Sequence, residues 1–270
     1  MGMLWVLVIA TGCASGNAPA AEPPAPQAGA PASPAAPSGT LTADASVDQI
    51  LDALDARGDG LKDFTAQVKL EEVDEAVGNA IVRTGRIWFQ RLEGDDARLR
   101  LTLDQKTVKE KTIEEKLEYV YAGGWLIDRD YRRQINVRRQ VVRPGEKVNL
   151  LKLGQGPLPL PLGQDKADVH KMFEVKKIDA GDAGKLDPAN STHLELTPKK
   201  GTEFARKFDA IDFWVDRASA MPVRVRTSEG AQIKTWDLTN LKVNSGLEDK
   251  DFALPNVNEK EWQLREEPFE

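Results

Sequence analysis

GRIWFQRLEGDDARLRLTLD, residues 85–104, decides how the rest of the chain is read. Its first eight residues are extended in character, with aromatic and β-branched side chains between polar ones. A polar break follows at Glu93-Gly94-Asp95-Asp96. In the second half Leu99, Leu101 and Leu103 fall on one side and Arg98, Arg100 and Thr102 on the other. That two-residue period is the mark of a half-buried strand, and two such strands about a short polar loop make a hairpin.

The same alphabet continues on both sides. Upstream, Phe64, Ala66, Val68 and Leu70 alternate with Thr65, Gln67 and Lys69. Downstream, LEYVYAGGWLIDRD (117–130) turns at Gly123-Gly124, and RRQINVRRQVV supplies another strand. MFEVKKID, THLELTP, FDAIDFWVDR, MPVRVRTS and IKTWDLTNLKVN complete the series, separated by Gly, Pro, Asp or Ser. One amphipathic helix precedes them. Val47, Ile50, Leu51 and Leu54 mark its apolar face, Asp44 and Ser46 offer N-caps, and Gly58 and Gly60 end it. Residues 144–175 break the pattern. Alternating prolines in GQGPLPLPLG exclude a sheet interior, and Leu158, Leu160 and Leu162 need cover, so the segment reads as a loop over something apolar, with a short helix over Ala167–Phe173. The expected class is α+β: one strongly curved antiparallel sheet of ten or eleven strands, with helices on one side.

Composition narrows the function. The 270 residues carry 37 Lys+Arg against 43 Asp+Glu, which argues against nucleic acid as a partner. One cysteine and two histidines exclude a Cys-ligated metal and disfavour a multi-histidine centre. No metal, cofactor or catalytic residue is expected: there is no GxSxG, no phosphate loop, and the Asp55–Gly60 stretch fails the calcium-loop pattern at Arg57 and Ala66. Asp128 and Asp130 share a strand face, but Arg129, Arg132 and Arg133 beside them make ion pairing the plainer reading than acid–base catalysis.

The N-terminus reads as processing and tether. LWVLVIA (4–10) is too short to span a bilayer but suits the apolar core of a secretory signal, placed over residues 1–12. It runs into ATGC, which resembles the lipobox of bacterial lipoproteins; that resemblance makes Cys13 the lipidated residue. Ala14 after it is not the aspartate that often retains lipoproteins in the inner membrane, so outer-membrane anchoring is favoured. Residues 13–40 hold seven of the sixteen prolines and one charge, a linker reaching roughly 80 Å when extended. The folded domain is expected over residues 41–270.

The order of these segments resembles the lipoprotein-carrier family (LolA/LolB-like). It is carried by GLKDFTAQVKLEEVD, the 85–104 hairpin, YVYAGGWLIDRDYRRQ, THLELTPKK, FDAIDFWVDRASAMPVRVRTSEG and a closing NLKVNSGLEDKDFALP. The resemblance implies an incomplete, eleven-stranded barrel with helices in its open mouth, and a cavity that binds acyl chains of lipoproteins or phospholipid without catalysis. It implies exchange with carrier or acceptor proteins on the periplasmic side of the envelope. It also implies that Arg91, in QRLE, contacts the helical lid; Leu158, Leu160 and Leu162, from their own proline-rich segment, read as a lid or docking surface, with a plain packed loop as the alternative. Phe89, Leu99, Leu101, Trp125, Phe213 and Trp214 are the candidate cavity wall, with ordinary core packing as the alternative for each. A sensing module of envelope stress (RseB-like) is the second functional reading.

Overall fold

A computed structural model describes residues 40–93, 96–143, 145–146, 149–151, 153, 162–179 and 187–269. The N-terminal signal, Cys13 and the linker lie outside these, as do Leu158 and Leu160. Helix α1 (Val47–Asp59) starts with a capping box: the Ser46 hydroxyl accepts from the Gln49 N–H, and the Gln49 side chain accepts from the Ser46 N–H. Its buried face is Ile50, Leu51 and Leu54, as the periodicity predicts.

Among the described residues, twelve strands follow in one sheet. They are β1 (Asp63–Asp74), β2 (Asn79–Arg91), β3 (Ala97–Val108), β4 (Lys111–Ala122), β5 (Trp125–Asp130), β6 (Ile135–Gln140), β7 (Phe173–Ile178), β8 (Ser191–Pro198), β9 (Ala210–Asp216), β10 (Pro222–Glu229), β11 (Gln232–Val243) and β12 (Gln263–Glu267). A short helix, α2 (Lys166–Met172), precedes β7. The spatial order is β12-β6-β5-β4-β3-β2-β1-β11-β10-β9-β8-β7, so the sheet curves without closing and ends at β12 and β7. Every pairing is antiparallel except β12 on β6, which is parallel. That extra strand corrects the expected ten or eleven: Gln263–Glu267 is wholly exposed, so it carries no apolar alternation to announce it.

The register sets the two faces. Phe64 pairs with Phe89, Phe89 with Leu99, and Leu99 with Tyr121, which in turn faces Leu126. Ala66, Ile87, Leu101 and Tyr119 form the next row on the same inner face. Leu194, Leu196, Ile211, Phe213, Val225 and Leu238 continue it across the other half of the sheet. One core holds this face together with α1, with Val169 of α2, and with Leu150, Leu151, Leu153 and Leu162. A bulge interrupts β2 and β3 at Gly85. A Cβ there would stand 1.8 Å from the Thr102 carbonyl oxygen, so the close crossing of the two backbones requires glycine.

The segment after β11 crosses the outer face. Asp63 is buried and anchors its start, accepting from Ser245 N (2.7 Å), Ser245 Oγ (3.0 Å) and Gly246 N (3.0 Å). Further along, Gln90 donates to the Leu247 carbonyl, Arg100 to that of Asp251 and Arg129 to that of Pro255. The Trp262 ring meets the Tyr131 ring edge-on at 5.2 Å before β12 joins the sheet.

Candidate functional site

The inner face divides into two halves of opposite chemistry. The apolar half carries Phe64, Phe89, Leu99, Leu101 and Phe213, all buried. What buries them is not a second sheet but α1, α2 and the described residues of the 149–165 stretch. Polar ties hold this cover. The Arg91 guanidinium donates from Nη2 to the Gly58 carbonyl at the end of α1 (2.7 Å). Gly163 N–H donates to the Leu54 carbonyl (3.3 Å) and Leu162 N–H to that of Leu151 (3.3 Å). Lys166 pairs with Asp52 at 2.8 Å and His170 with Asp48 at 2.9 Å, joining α2 to α1. Lys177 of β7 donates to the carbonyls of Ala43 and Ala45 just ahead of α1.

One crossing in the cover is unusually close. A Cβ on Gly58 would stand 1.9 Å from Gly163 N and 2.3 Å from its Cα. The helix and the loop therefore meet backbone to backbone, and no side chain fits between them.

Each candidate among the described residues now has a place. Phe89, Leu99, Leu101 and Phe213 sit on the inner face beneath the cover. Arg91 touches α1, and Leu162 is buried against the same core. Trp125 and Trp214 do not belong with them. Leu126 and Phe213 occupy the inward positions, so their neighbours point outward by the two-residue period. Trp125 lies under Arg138, 4.0 Å from its ring centre. Trp214 stacks on His193 at 4.0 Å and donates its indole N–H to Asp187 (2.6 Å). A one-residue offset reverses the face, and sequence alone does not fix it.

Beyond the apolar rows the strands run on into an open cavity of about 680 Å³. Its walls are charged. Arg83 joins Glu72 and, through Nε, Glu115 (2.9 Å), while Lys106 reaches Glu115 at 3.2 Å. Lys234 stands 3.8 Å from Glu72, Arg133 3.2 Å from Asp130 and Arg139 3.9 Å from Asp128. Burial alone would raise the Glu115 pKa, but Arg83 and Lys106 outweigh it and hold the carboxyl below its usual range. Asp128 goes the other way: burial raises it, Arg139 offsets only part of this, and Asp130 adds to the rise. Burial likewise raises the Tyr119 phenol. Asp130 is thus paired with Arg133, one of the arginines beside it in the sequence, while Asp128 faces Arg139 at 3.9 Å.

Apolar alternation, the signal that marks the strands, does not announce this charged half. The available signal was the continuation of the inward series Phe64, Ala66, Val68, Leu70 into Glu72 and Asp74. Among the described residues no group of three His, Cys, Asp or Glu could hold a metal. No described helix is long and apolar enough to cross a membrane.

No protein-family model matches the chain. No curated protein matches it in sequence. Solved structures do. The chain is similar to an uncharacterized conserved protein from Thermus thermophilus, at 12% identity and a TM-score of 0.44, over 81% of this chain and 97% of that one. It is similar to a putative outer membrane lipoprotein-sorting protein domain from Vibrio parahaemolyticus, at 13% identity and a TM-score of 0.34, over 76% of this chain and 94% of that one. It is also similar to a chain of the Pseudomonas aeruginosa MucA/MucB complex, at 16% identity and a TM-score of 0.42, over 79% of this chain and 62% of that one.

Proposed function

We propose that the protein is a bacterial envelope lipoprotein, anchored through Cys13 and favouring the outer membrane, that binds acyl chains of lipoproteins or lipids. It acts by binding and release, without catalysis, and takes part in sorting lipoproteins to the outer membrane. The observation that carries this reading is the cover of the apolar half. A large apolar sheet face is closed by α1, α2 and the described residues of the 149–165 stretch, held by polar ties, and none of these is a strand of the sheet.

The energies are compatible with exchange. Burying three aliphatic side chains such as Ile50, Leu51 and Leu54 contributes roughly 5–9 kcal/mol. An acyl chain burying about ten methylenes contributes about 8 kcal/mol. A chain that takes the place of α1 therefore replaces most of what lifting the helix loses. The sequence resemblance to lipoprotein carriers supports the same reading.

Native mass spectrometry of the full chain, purified from a bacterial envelope extract and released from detergent, tests it. A bound mass matching a phospholipid or an acylated peptide is expected. A chain that carries no lipid and takes up none when it is added contradicts the reading; stable recovery of one membrane-bound regulatory protein instead would move the assignment to the sensing module.

A further inference from the structure

We propose that the charged half of the inner face binds a zwitterionic group, a primary ammonium joined to a phosphate as in phosphoethanolamine. The cavity's volume falls within the usual range for small-ligand sites, about 300–1,000 Å³. Its described walls hold five carboxylates and five cations, so the space is charge-balanced. A net ion would leave one set of wall charges uncompensated, and a hydrocarbon chain would strip water from all of them. A neutral dipolar ligand does neither.

Arg83 and Lys106, 14% and 23% exposed, are engaged by Glu72 and Glu115; of the other wall charges, Asp128 and Asp130 lie deeper than the remaining cations. Asp128 and Asp130 have side chains 22% and 19% exposed, on successive inward positions of β5. Arg139 stands 3.9 Å from Asp128, beyond hydrogen-bond range, so an ammonium has a carboxylate to meet there. The cations Arg133, Lys234 and Arg139 are 58%, 42% and 39% exposed, nearer the solvent, with Arg133 paired to Asp130 at 3.2 Å and Arg139 to Glu267 at 2.5 Å. Lys234 is held only at 3.8 Å by Glu72. Lys234 and Asp128 are the two most loosely held of these charges, and an anionic phosphate at the one and an ammonium at the other satisfy both at once. The apolar floor of Leu117 and Tyr119 suits the two-carbon link between them.

The inference rests on the proposed function only for the lipid as the source of the group, because the cavity is open without movement of α1. Calorimetric titration of the full chain with glycerophosphoethanolamine, glycerol 3-phosphate and dihexanoyl phosphatidylethanolamine tests it. Glycerophosphoethanolamine is expected to bind at one site, at least about tenfold tighter than glycerol 3-phosphate. Asp128→Asn is expected to remove that difference, and Lys234→Gln, at the exposed rim, to weaken both compounds. Tighter binding of the dihexanoyl lipid supports the site with a lipid as source; equal binding supports it with a free ligand as source. The proposal is overturned if neither phosphoethanolamine compound binds. It is equally overturned if glycerol 3-phosphate binds as tightly as glycerophosphoethanolamine, or if folded Asp128→Asn and Lys234→Gln both bind as the parent does. Headgroup binding without acyl uptake sinks the acyl reading alone, and acyl uptake without headgroup binding sinks this site alone.

Discussion

Gly58→Ala tests the backbone-to-backbone closure of the cover. Inside a helix the change is expected to help, since alanine is favoured over glycine by about 0.8–1.0 kcal/mol. Here the added methyl group would sit 1.9 Å from Gly163 N and 2.6 Å from the Leu162 carbonyl carbon. Those are main-chain atoms, so no rotamer change relieves the overlap and the 162–163 loop must move off the helix. Overpacking of this kind costs about 1–3 kcal/mol. The movement also breaks the Gly163–Leu54 hydrogen bond and strains the Arg91–Gly58 one, worth about 1–2 kcal/mol together. Set against the helix gain, the net is a loss of about 1–4 kcal/mol. For a domain of this size that lowers Tm by roughly 2–16 °C. Differential scanning calorimetry reads the loss, and uptake of a fluorescent fatty acid reads the loosened cover, which should take the probe faster than the parent. A variant with unchanged or raised Tm and parental uptake would refute the close crossing.

Three further outcomes follow from particular contacts. Arg91→Leu removes the guanidinium that donates to the end of α1, and should lower stability by about 1–2 kcal/mol in urea unfolding while speeding probe uptake. Asp63→Ala deletes the acceptor of three hydrogen bonds at the start of the outer-face segment, and should cost about 2–4 kcal/mol, with Trp262 emission shifted to the red as the segment lifts. Glu118 supplies a pH dependence. Burial would raise its pKa, but hydrogen bonds from Tyr131 and Arg100 prevail and hold it below the usual carboxylate value. Its stabilisation is complete above its unfolded pKa, near 4.3, and is lost as pH falls through the lower folded value. The stability gap between the parent and Glu118→Gln should therefore be widest near neutrality and shrink below about pH 4; a gap that widens on acidification would contradict the pairing.

Local patterns with one physical meaning were legible in the sequence. The apolar stripe of α1 and its Ser46 cap, the 85–104 hairpin and the Gly123-Gly124 turn all stand where their residues point. The turn at Lys109-Glu110 was not legible. Both residues adopt positive φ, 47° and 64°, where asparagine or glycine is the usual signal, so β4 begins six residues earlier than its apolar run suggests. β12 was hidden for a different reason. Its side chains are exposed and its hold is backbone pairing plus Arg138–Glu266 and Arg139–Glu267, which leave no hydrophobic period. At the site, residue type identified Phe89, Leu99 and Leu101, while face was ambiguous for Trp125 and Trp214 until register fixed it. The charged cavity depends on which strands curve toward one another, and no local window contains that.

The central claim is that an acyl chain lies on the inner face where α1 now packs. Photo-crosslinking with a diacylated lipopeptide carrying a diazirine near the end of one chain, followed by peptide mapping, tests it most directly. The account predicts labelling at Phe64, Phe89, Leu99 or Leu101, all buried beneath the cover. Labelling confined to the outer face, at Trp125 or Trp214, or none above the level of a non-acylated peptide, would contradict it.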